Sequence, residues 1–382
     1  MNYEIIVVND GSTDGSNEIL KEYQNKDTRI KVINKENSGY GHTMNVGLNN
    51  ATAEYIGILE SDDIAKPEMF ENLYNLIIKH DCDFVKSDYY FYYSKFNKIV
   101  KYDITNGHNI NVVTNLDEDI TLLSMTPSVW SSLYRKDFLD KNNIRFQETP
   151  GASYQDTSFH HKTIMMAKKM MLTDNAYVYY RQDSGNSSVN SSSKIYCVAD
   201  EYKETYNYIE THPDLKKYLE YMKVVQFSTY KWNLYRLDVK LKKEFFDYFY
   251  KEFKTFSDKG MLDEVFYKYI GDEKKFNLFL NSPRKYWKKY LRRQEMEKWK
   301  NFRKKIISVR FKKNEKSIIL FGKNVFNIGD YFPVKSSQEN KYKVIYLFGL
   351  KFKINKFRKK VNSYRELPIN NNKIVFSNYM GL

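Results

Sequence analysis

Three carboxylates stand within four residues in Glu60-Ser61-Asp62-Asp63, directly after the apolar run Tyr55-Ile56-Gly57-Ile58-Leu59. Like charges at that spacing repel, and a divalent cation relieves the repulsion. Hard oxygen donors suit Mg²⁺ or Mn²⁺, which leave positions open for substrate phosphates. The ordinary alternative is a solvated acidic turn ahead of the next helix. A second polar stretch, Asn9-Asp10-Gly11-Ser12-Thr13-Asp14-Gly15-Ser16, follows the β-branched run Glu4–Val8. Its carboxylates and hydroxyls can accept from the imide N–H of a uracil and hydrogen-bond a ribose. Equally, Ser, Thr, Asp and Gly are what a turn and a helix cap need. The third stretch is Gly151-Ala152-Ser153-Tyr154-Gln155-Asp156. An Asp with an ordinary pKa of about 3.9 is ionised at neutral pH and can take the proton of an attacking hydroxyl, so Asp156 is a candidate general base as well as a helix opener. His160 lies one turn on; Asp156 and His160 at that spacing suit a surface or supporting role better than a shared metal. His80, His108, His161 and His212 show no ligand spacing.

The elements that position these groups alternate. A strand at 4–8, a helix through Ile19, Leu20 and Tyr23, a strand at 30–34 and a helix near 42–49 come first. A strand at 54–59, a helix opening at Pro67 with the stripe Met69, Phe70, Leu73, Leu76 and Ile77, and a strand at 83–86 follow. This order predicts an α/β fold with a mostly parallel sheet flanked by helices, whose carboxyl edge gathers the polar loops. No Gly-x-Gly-x-x-Gly follows the first strand, which argues against a dinucleotide oxidoreductase.

The three stretches and the Asn37-Ser38-Gly39-Tyr40-Gly41 turn, in this order over about residues 3–190, resemble the family 2 glycosyltransferases of the GT-A (Rossmann-like) fold. The resemblance implies an inverting, metal-dependent transfer from a nucleotide sugar, a UDP-sugar favoured, to a growing cell-surface polysaccharide such as a capsule or teichoic-acid-like polymer. It places Asp10, Ser12 and Asp14 on the nucleoside. It gives Glu60 the first acidic position of the donor site, Asp62 and Asp63 the ribose and the metal-bound diphosphate, Asp156 the base, and Arg181 a place near the diphosphate. One base suits a single inverting step rather than a two-carboxylate retaining hydrolase. The family opens with one further strand and helix ahead of the strand at Glu4, so the resemblance also leads us to expect a chain that lacks them. If so, a catalytically inactive fragment that binds a membrane or a partner is the alternative function. The last residues, Lys373–Leu382, weakly resemble the opening strand of a CDP-glycerol glycerophosphotransferase domain.

Composition divides the 382 residues. Residues 1–195 carry 20 Lys and Arg against 26 Asp and Glu, net −6, whereas residues 196–382 carry 42 against 21, net +21, giving +15 in all. We expect a transferase domain over 1–195, a basic aromatic helical region over 196–316, and short β segments over 317–382, the possible start of a further domain. Within 284–316 stand 15 Lys and Arg, interleaved with Tyr286, Trp287, Tyr290, Trp299 and Phe302. Basic residues mixed with interfacial aromatics fit an anionic membrane surface first, then a phosphorylated glycan or lipid-linked acceptor; nucleic acid is not expected, since no such motif is present. The expected place is the cytoplasm, peripheral at the inner face of the cell membrane. Two cysteines, Cys82 and Cys197, exclude a disulfide framework, and no apolar run reaches the length of a membrane-spanning helix.

Overall fold

The computed structural model describes residues 3–151, 154–183, 194–312, 315–320, 323–328, 342–347 and 350–355. The chain divides into two units, the first running to Phe276 and the second from Asn277 to Lys373.

In the first unit, strand β1 (Ile5–Asp10) lies parallel to β2 (Ile30–Lys35), in a register that sets Ile5 beside Ile30 and Asp10 beside Lys35. Parallel neighbours need a crossover, and helix α1 (Ser16–Lys26) supplies it. The apolar positions of α1 do not form a buried stripe: Ile19 and Tyr23 are both more than half exposed. Helix α2 (Tyr40–Asn50) follows, burying Gly41, Asn45 and Leu48 at helical spacing.

A seven-stranded sheet forms the body of this unit. Its path runs β3 (Tyr55–Gly57), β8 (Ser132–Arg135), β5 (Phe84–Tyr93), β9 (Met170–Arg181), β4 (Ile64–Ala65), with β6 (Lys98–Tyr102) on β5 and β7 (Val113–Thr114) on β9. The α/β layering is as the sequence leads one to expect, with helix α3 (Met69–His80) beside the sheet and its Met69, Leu73 and Ile77 buried. Strand direction is the correction. Only β1–β2 and β5–β9 are parallel among the described pairs; β3–β8, β5–β8, β5–β6, β4–β9 and β7–β9 are antiparallel. The regular βα order ends at residue 93. Beyond it the chain returns without a crossover helix, turning at Ser94–Asn97 with Asn97 in the left-handed region, so β6 pairs back on β5. The long β5–β9 pair is the centre of the core, where Phe84, Val85, Met170, Met171 and Leu172 are essentially unexposed.

Helices α4 (Lys136–Lys141) and α5 (Asp156–Met166) frame the stretch that carries Asp156. Helices α6 (Cys197–Thr211), α7 (Leu219–Arg236), α8 (Val239–Asp258) and α9 (Glu264–Tyr269) also belong to the first unit. Phe227, Phe249, Phe253, Phe266 and Phe276 interlock there with ring centroids 4.9–6.5 Å apart, geometry that favours edge-to-face aromatic packing. Helix α10 (Glu273–Asn281) spans the division of the chain.

The second unit contains helix α11 (Pro283–Ile306), an antiparallel sheet β10 (Ile307–Lys312), β11 (Glu315–Leu320), β12 (Lys323–Ile328), and a hairpin β13 (Tyr342–Leu347), β14 (Leu350–Asn355). The expected strand at 373–382, with its resemblance to a glycerophosphotransferase, lies outside the described residues.

One close approach matters for everything below. A Cβ on Gly41 would stand 1.9 Å from the Gln147 carbonyl oxygen, and Gly39, at φ +89°, would meet the Gly151 amide at 2.8 Å. Asn45 fastens the same neighbours: its side chain donates to the Phe146 carbonyl and accepts from the Phe146 amide, both at 2.9 Å. Gly41→Ala is therefore expected to cost about 1–3 kcal/mol by overpacking. Urea unfolding should show the loss, whereas Gly15→Ala, whose Cβ meets nothing within 4 Å, should change little.

Candidate active site

The loop after β1 and the start of α2 are joined by Asp10. Its carboxylate pairs with Lys35 and accepts from the Ser38 and Gly39 amides at 2.9 and 3.1 Å. Burial alone would push the Asp10 carboxyl up, but Lys35, the Ser38 amide and the Thr43 hydroxyl hold it below its usual range. Asn9 shapes the same turn, accepting from the Ser12 amide at 3.0 Å and bonding Asn34 at 2.9 Å. Asp14 accepts from Ser16 at the opening of α1. Ser12 and Asp14 are exposed, and among the described residues no hydrogen bond links their side chains to the other acidic groups.

The acidic turn after β3 folds on itself through the Asp63 amide, which donates to the Glu60 carbonyl at 3.2 Å. Tyr40 at the start of α2 donates its hydroxyl to Glu60 at 2.6 Å. Burial raises the Glu60 carboxyl, Tyr40 opposes that, and Asp62 adds to it. Asp63 is 9% exposed; one of its oxygens accepts from the Arg181 amide at 2.8 Å, and the other is buried with no partner. Burial pushes Asp63 up to about 7. Arg181 thus meets the turn through its backbone, and its own buried Nε has no partner.

Asp156 is the first residue of α5. The loop before it is held by Gln155, whose amide nitrogen donates to Thr149 and Gly151 at 2.8–3.2 Å, and by the Tyr40 amide, which donates to Gly151 at 3.2 Å. Tyr154, the residue two before Asp156, adopts φ +67°, a conformation that costs a non-glycine residue free energy unless packing enforces it. Its ring packs edge-on against Trp232 at 5.4 Å, with the Arg236 guanidinium 4.7 Å from its centroid. The Asp156 Oδ1 is buried with no hydrogen-bond partner, and burial pushes this carboxyl up to about 7; the Glu60 charge adds to the shift, while the Thr157 amide and Lys86 oppose it.

Glu60 and Asp156, 96 residues apart in sequence, therefore feel each other electrostatically, and the Tyr180 hydroxyl feels Asp156, Asp63 and Asp62 together. The structure gathers Glu60, Asp62, Asp63, Asp156 and the Arg181 backbone into one site, with Asp10 joined to it through the Gly39-Tyr40 step. No group of three or more His, Cys, Asp or Glu arranged to hold a metal occurs among the described residues.

Three participants escape a reading of the sequence. Tyr40 was visible only as part of a Gly-x-Gly turn. Lys86 stands in the apolar strand Phe84-Val85-Lys86, 1% exposed, donating to the Ser128 carbonyl at 2.6 Å. It faces α5, because Phe84 and Lys86 share one face of the sheet with Tyr134, and Phe159 of α5 packs edge-on over Tyr134. Burial brings the Lys86 ammonium down to about 7, and Asp156 opposes that. A charged residue inside an apolar strand was the one available signal. Glu201 of α6, 1% exposed with its Oε2 accepting from the Ser158 amide of α5 at 3.2 Å, gave none.

Comparison with known proteins agrees with this architecture. Residues 1–162 match the model of the family described as Glycosyl transferase family 2, and this part of the chain is a family 2 glycosyltransferase domain. Glycosyltransferase GlyA of Streptococcus pneumoniae serotype 4 is 32% identical over 201 residues, covering 49% of this chain and 27% of that protein. Glycosyltransferase GlyG of the same organism is 31% identical over 200 residues, 47% of this chain and 62% of GlyG. The minor teichoic acid biosynthesis protein GgaB of Bacillus subtilis is 30% identical over 200 residues, 50% of this chain and 21% of GgaB. The chain thus spans less than two thirds of each of these relatives. The crystal structure of S. aureus TarS 1–349 in complex with UDP-GlcNAc superposes with a TM-score of 0.56 at 18% identity, covering 85% of this chain and 90% of that one. At that identity the likeness concerns the fold, which is GT-A-like.

The raised Asp156 carboxyl has a measurable consequence. Its folded value of about 7 exceeds the unfolded value of about 3.9, so the native state holds the extra proton and stability falls as pH rises between the two. Asp156→Asn removes that dependence. The stability of the Asn variant relative to wild type is expected to climb from about pH 4 to about pH 7 and then level, read as the difference in urea midpoints.

Proposed function

We propose that the first unit transfers a sugar from a nucleotide-sugar donor, a UDP-sugar favoured, to a cell-surface glycan or lipid-linked acceptor of the teichoic-acid or capsule type, with inversion. The observation that carries this reading is the buried, unpartnered Asp156 oxygen, held across from the acidic turn within a family 2 domain. The TarS complex with UDP-GlcNAc supports the donor class, and GgaB supports the acceptor class.

In the step proposed, the acceptor hydroxyl oxygen bonds to the anomeric carbon, and its proton passes to Asp156. The bond from that carbon to the diphosphate oxygen breaks, and its electron pair leaves with the nucleoside diphosphate. A carboxyl near pKa 7 is a stronger base than an ordinary aspartate yet remains partly ionised at neutral pH, which suits general base work. Asp10 orders the Ser38-Gly39 turn, and Gln155 with Tyr154 fixes the approach of Asp156.

Mg²⁺ or Mn²⁺ fits the residues present. The orphaned Asp63 oxygen and the neighbouring Asp62 carboxylate are hard donors, and a Mg²⁺ site of one or two carboxylates completed by substrate phosphates needs no third protein ligand. Asp62 and Asp63 would hold the ion, and bound there it would neutralise charge on the departing diphosphate. The alternative of an inactive binding fragment is separated by experiment. Calorimetry with UDP-GlcNAc and Mn²⁺ is expected to show binding that Asp62→Ala weakens, whereas Asp156→Asn binds the donor and loses transfer by about 10²-fold or more. Equal transfer by wild type and Asp156→Asn would remove Asp156 as the base.

We also propose that the protein works peripherally at the inner face of the membrane. Helix α11 carries eleven Lys and Arg against Glu295 and Glu297, and its Met296 and Trp299 are 57% and 65% exposed. No described helix is long and apolar enough to cross a membrane. Each basic side chain near an anionic surface contributes about 1 kcal/mol. The protein is expected to sediment with phosphatidylglycerol vesicles and not with phosphatidylcholine vesicles, and to be released by high salt. Equal partition to both would contradict the electrostatic attachment.

A further inference from the structure

Helix α5 opens without a local side-chain cap: Gln155 sits at the N-cap position and makes no capping bond. The first-turn amides of a helix need an acceptor, and an uncapped start in a buried place is costly. The Thr157 amide finds one locally in the Tyr154 carbonyl at 2.9 Å, whereas the acceptor for the Ser158 amide comes from another helix. Glu201 of α6 is 1% exposed, and its Oε2 accepts from the Ser158 amide at 3.2 Å. Ser158 is the third helical residue, the position a capping side chain serves from the N-cap in ordinary helices. Further contacts fasten the two helices in register with this bond: Lys162 pairs with Glu204 at 3.0 Å, and His161 meets the Thr205 hydroxyl at 3.1 Å.

We propose that Glu201 is a positioning residue of the transfer reaction, capping from α6 the helix that carries Asp156 and so fixing the place and charge of that carboxylate. This rests on the reading of Asp156 as the base.

The charge argument follows from what surrounds the two carboxyls. Asp156 is faced by Glu60 from the acidic turn, Tyr40 from α2, Lys86 from β5, Tyr154 from its own loop and Tyr180 from β9. Glu201 is faced by Asp156, Ser158 and Lys162 of α5. Burial pushes Glu201 up to about 8; Ser158 opposes this, Asp156 reinforces it and Lys162 opposes it. At neutral pH Glu201 is thus a neutral carboxyl, which caps through an oxygen without setting a second negative charge beside the base. Two adjacent carboxyls then divide the work: Asp156 takes a proton, and Glu201 keeps its own.

The variants Glu201→Gln and Glu201→Ala test this. The glutamine amide is neutral and presents the same acceptor, so it is expected to keep kcat and donor KM within about twofold of wild type, whereas alanine, which removes the cap, should lower kcat about tenfold to a hundredfold with donor KM little changed. Wild-type kcat should fall off above about pH 8 as Glu201 ionises beside Asp156, and Glu201→Gln should lack that alkaline loss. Independently of turnover, Glu201→Gln should gain urea stability relative to wild type as pH rises from about 4.3 to about 8, because the native state of the wild type holds the extra proton over that window. Wild-type kcat in both variants, or a pH-independent stability difference for Glu201→Gln, would overturn the proposal. Absence of turnover in wild type together with the expected stability difference would instead sink the transfer reading and leave the buried neutral cap standing.

Discussion

Burying a carboxylate without a hydrogen-bond partner is expensive, and the Asp156 Oδ1 is such a group. Much of the first unit can be read as what makes that position tenable. The amide of Thr157 and the distant ammonium of Lys86 favour the charge, while Glu60 and the low-dielectric surroundings oppose it. The balance leaves the carboxyl near neutrality instead of near 4. An exposed turn with the same residues would have no such property, because water would solvate the charge and screen Glu60.

Holding a carboxyl in that state requires close approach, and close approach explains several local choices. Gly39 and Gly41 admit the 147–151 backbone where any side chain would collide. Asn45 ties α2 to Phe146 by imitating a backbone pair. Tyr154 tolerates a left-handed backbone because Trp232 and Arg236 grip its ring. Behind the site, the β5–β9 core gives Lys86 and Phe84 a rigid surface on which α5 rests. Helices that a reading of composition assigns to a separate basic region therefore matter to the site: α6 supplies the Glu201 cap and α7 supplies Trp232 and Arg236.

What the sequence made legible is what local pattern encodes. Strand-then-polar-loop order located the Asp10 loop and the 60–63 turn, and helical spacing located α2 and α3. Asp156 stood out by its place in an ordered set of motifs. Strand direction was not legible, because nothing in residues 94–135 signals that β6 and β8 return antiparallel to β5. Nor were Tyr40, Lys86 and Glu201, whose roles arise from pairings 20 to 43 residues distant. The Ile19 and Tyr23 stripe shows the converse: periodicity gave a helix correctly, and burial did not follow. Ser12 and Asp14 illustrate the ordinary reading of such loops, since their visible bonds are those of a turn and a helix start.

The most direct measurement is the titration of the Asp156 carboxyl itself. In protein labelled with ¹³C at the aspartate Cγ, the Asp156 resonance is assigned by its disappearance in Asp156→Asn and followed from about pH 4 to about pH 9. The account requires that it titrate near 7, well above the resonances of exposed aspartates. A midpoint at the ordinary value of about 3.9 would contradict it, because the carboxylate would then not be held away from water beside the Glu60 charge.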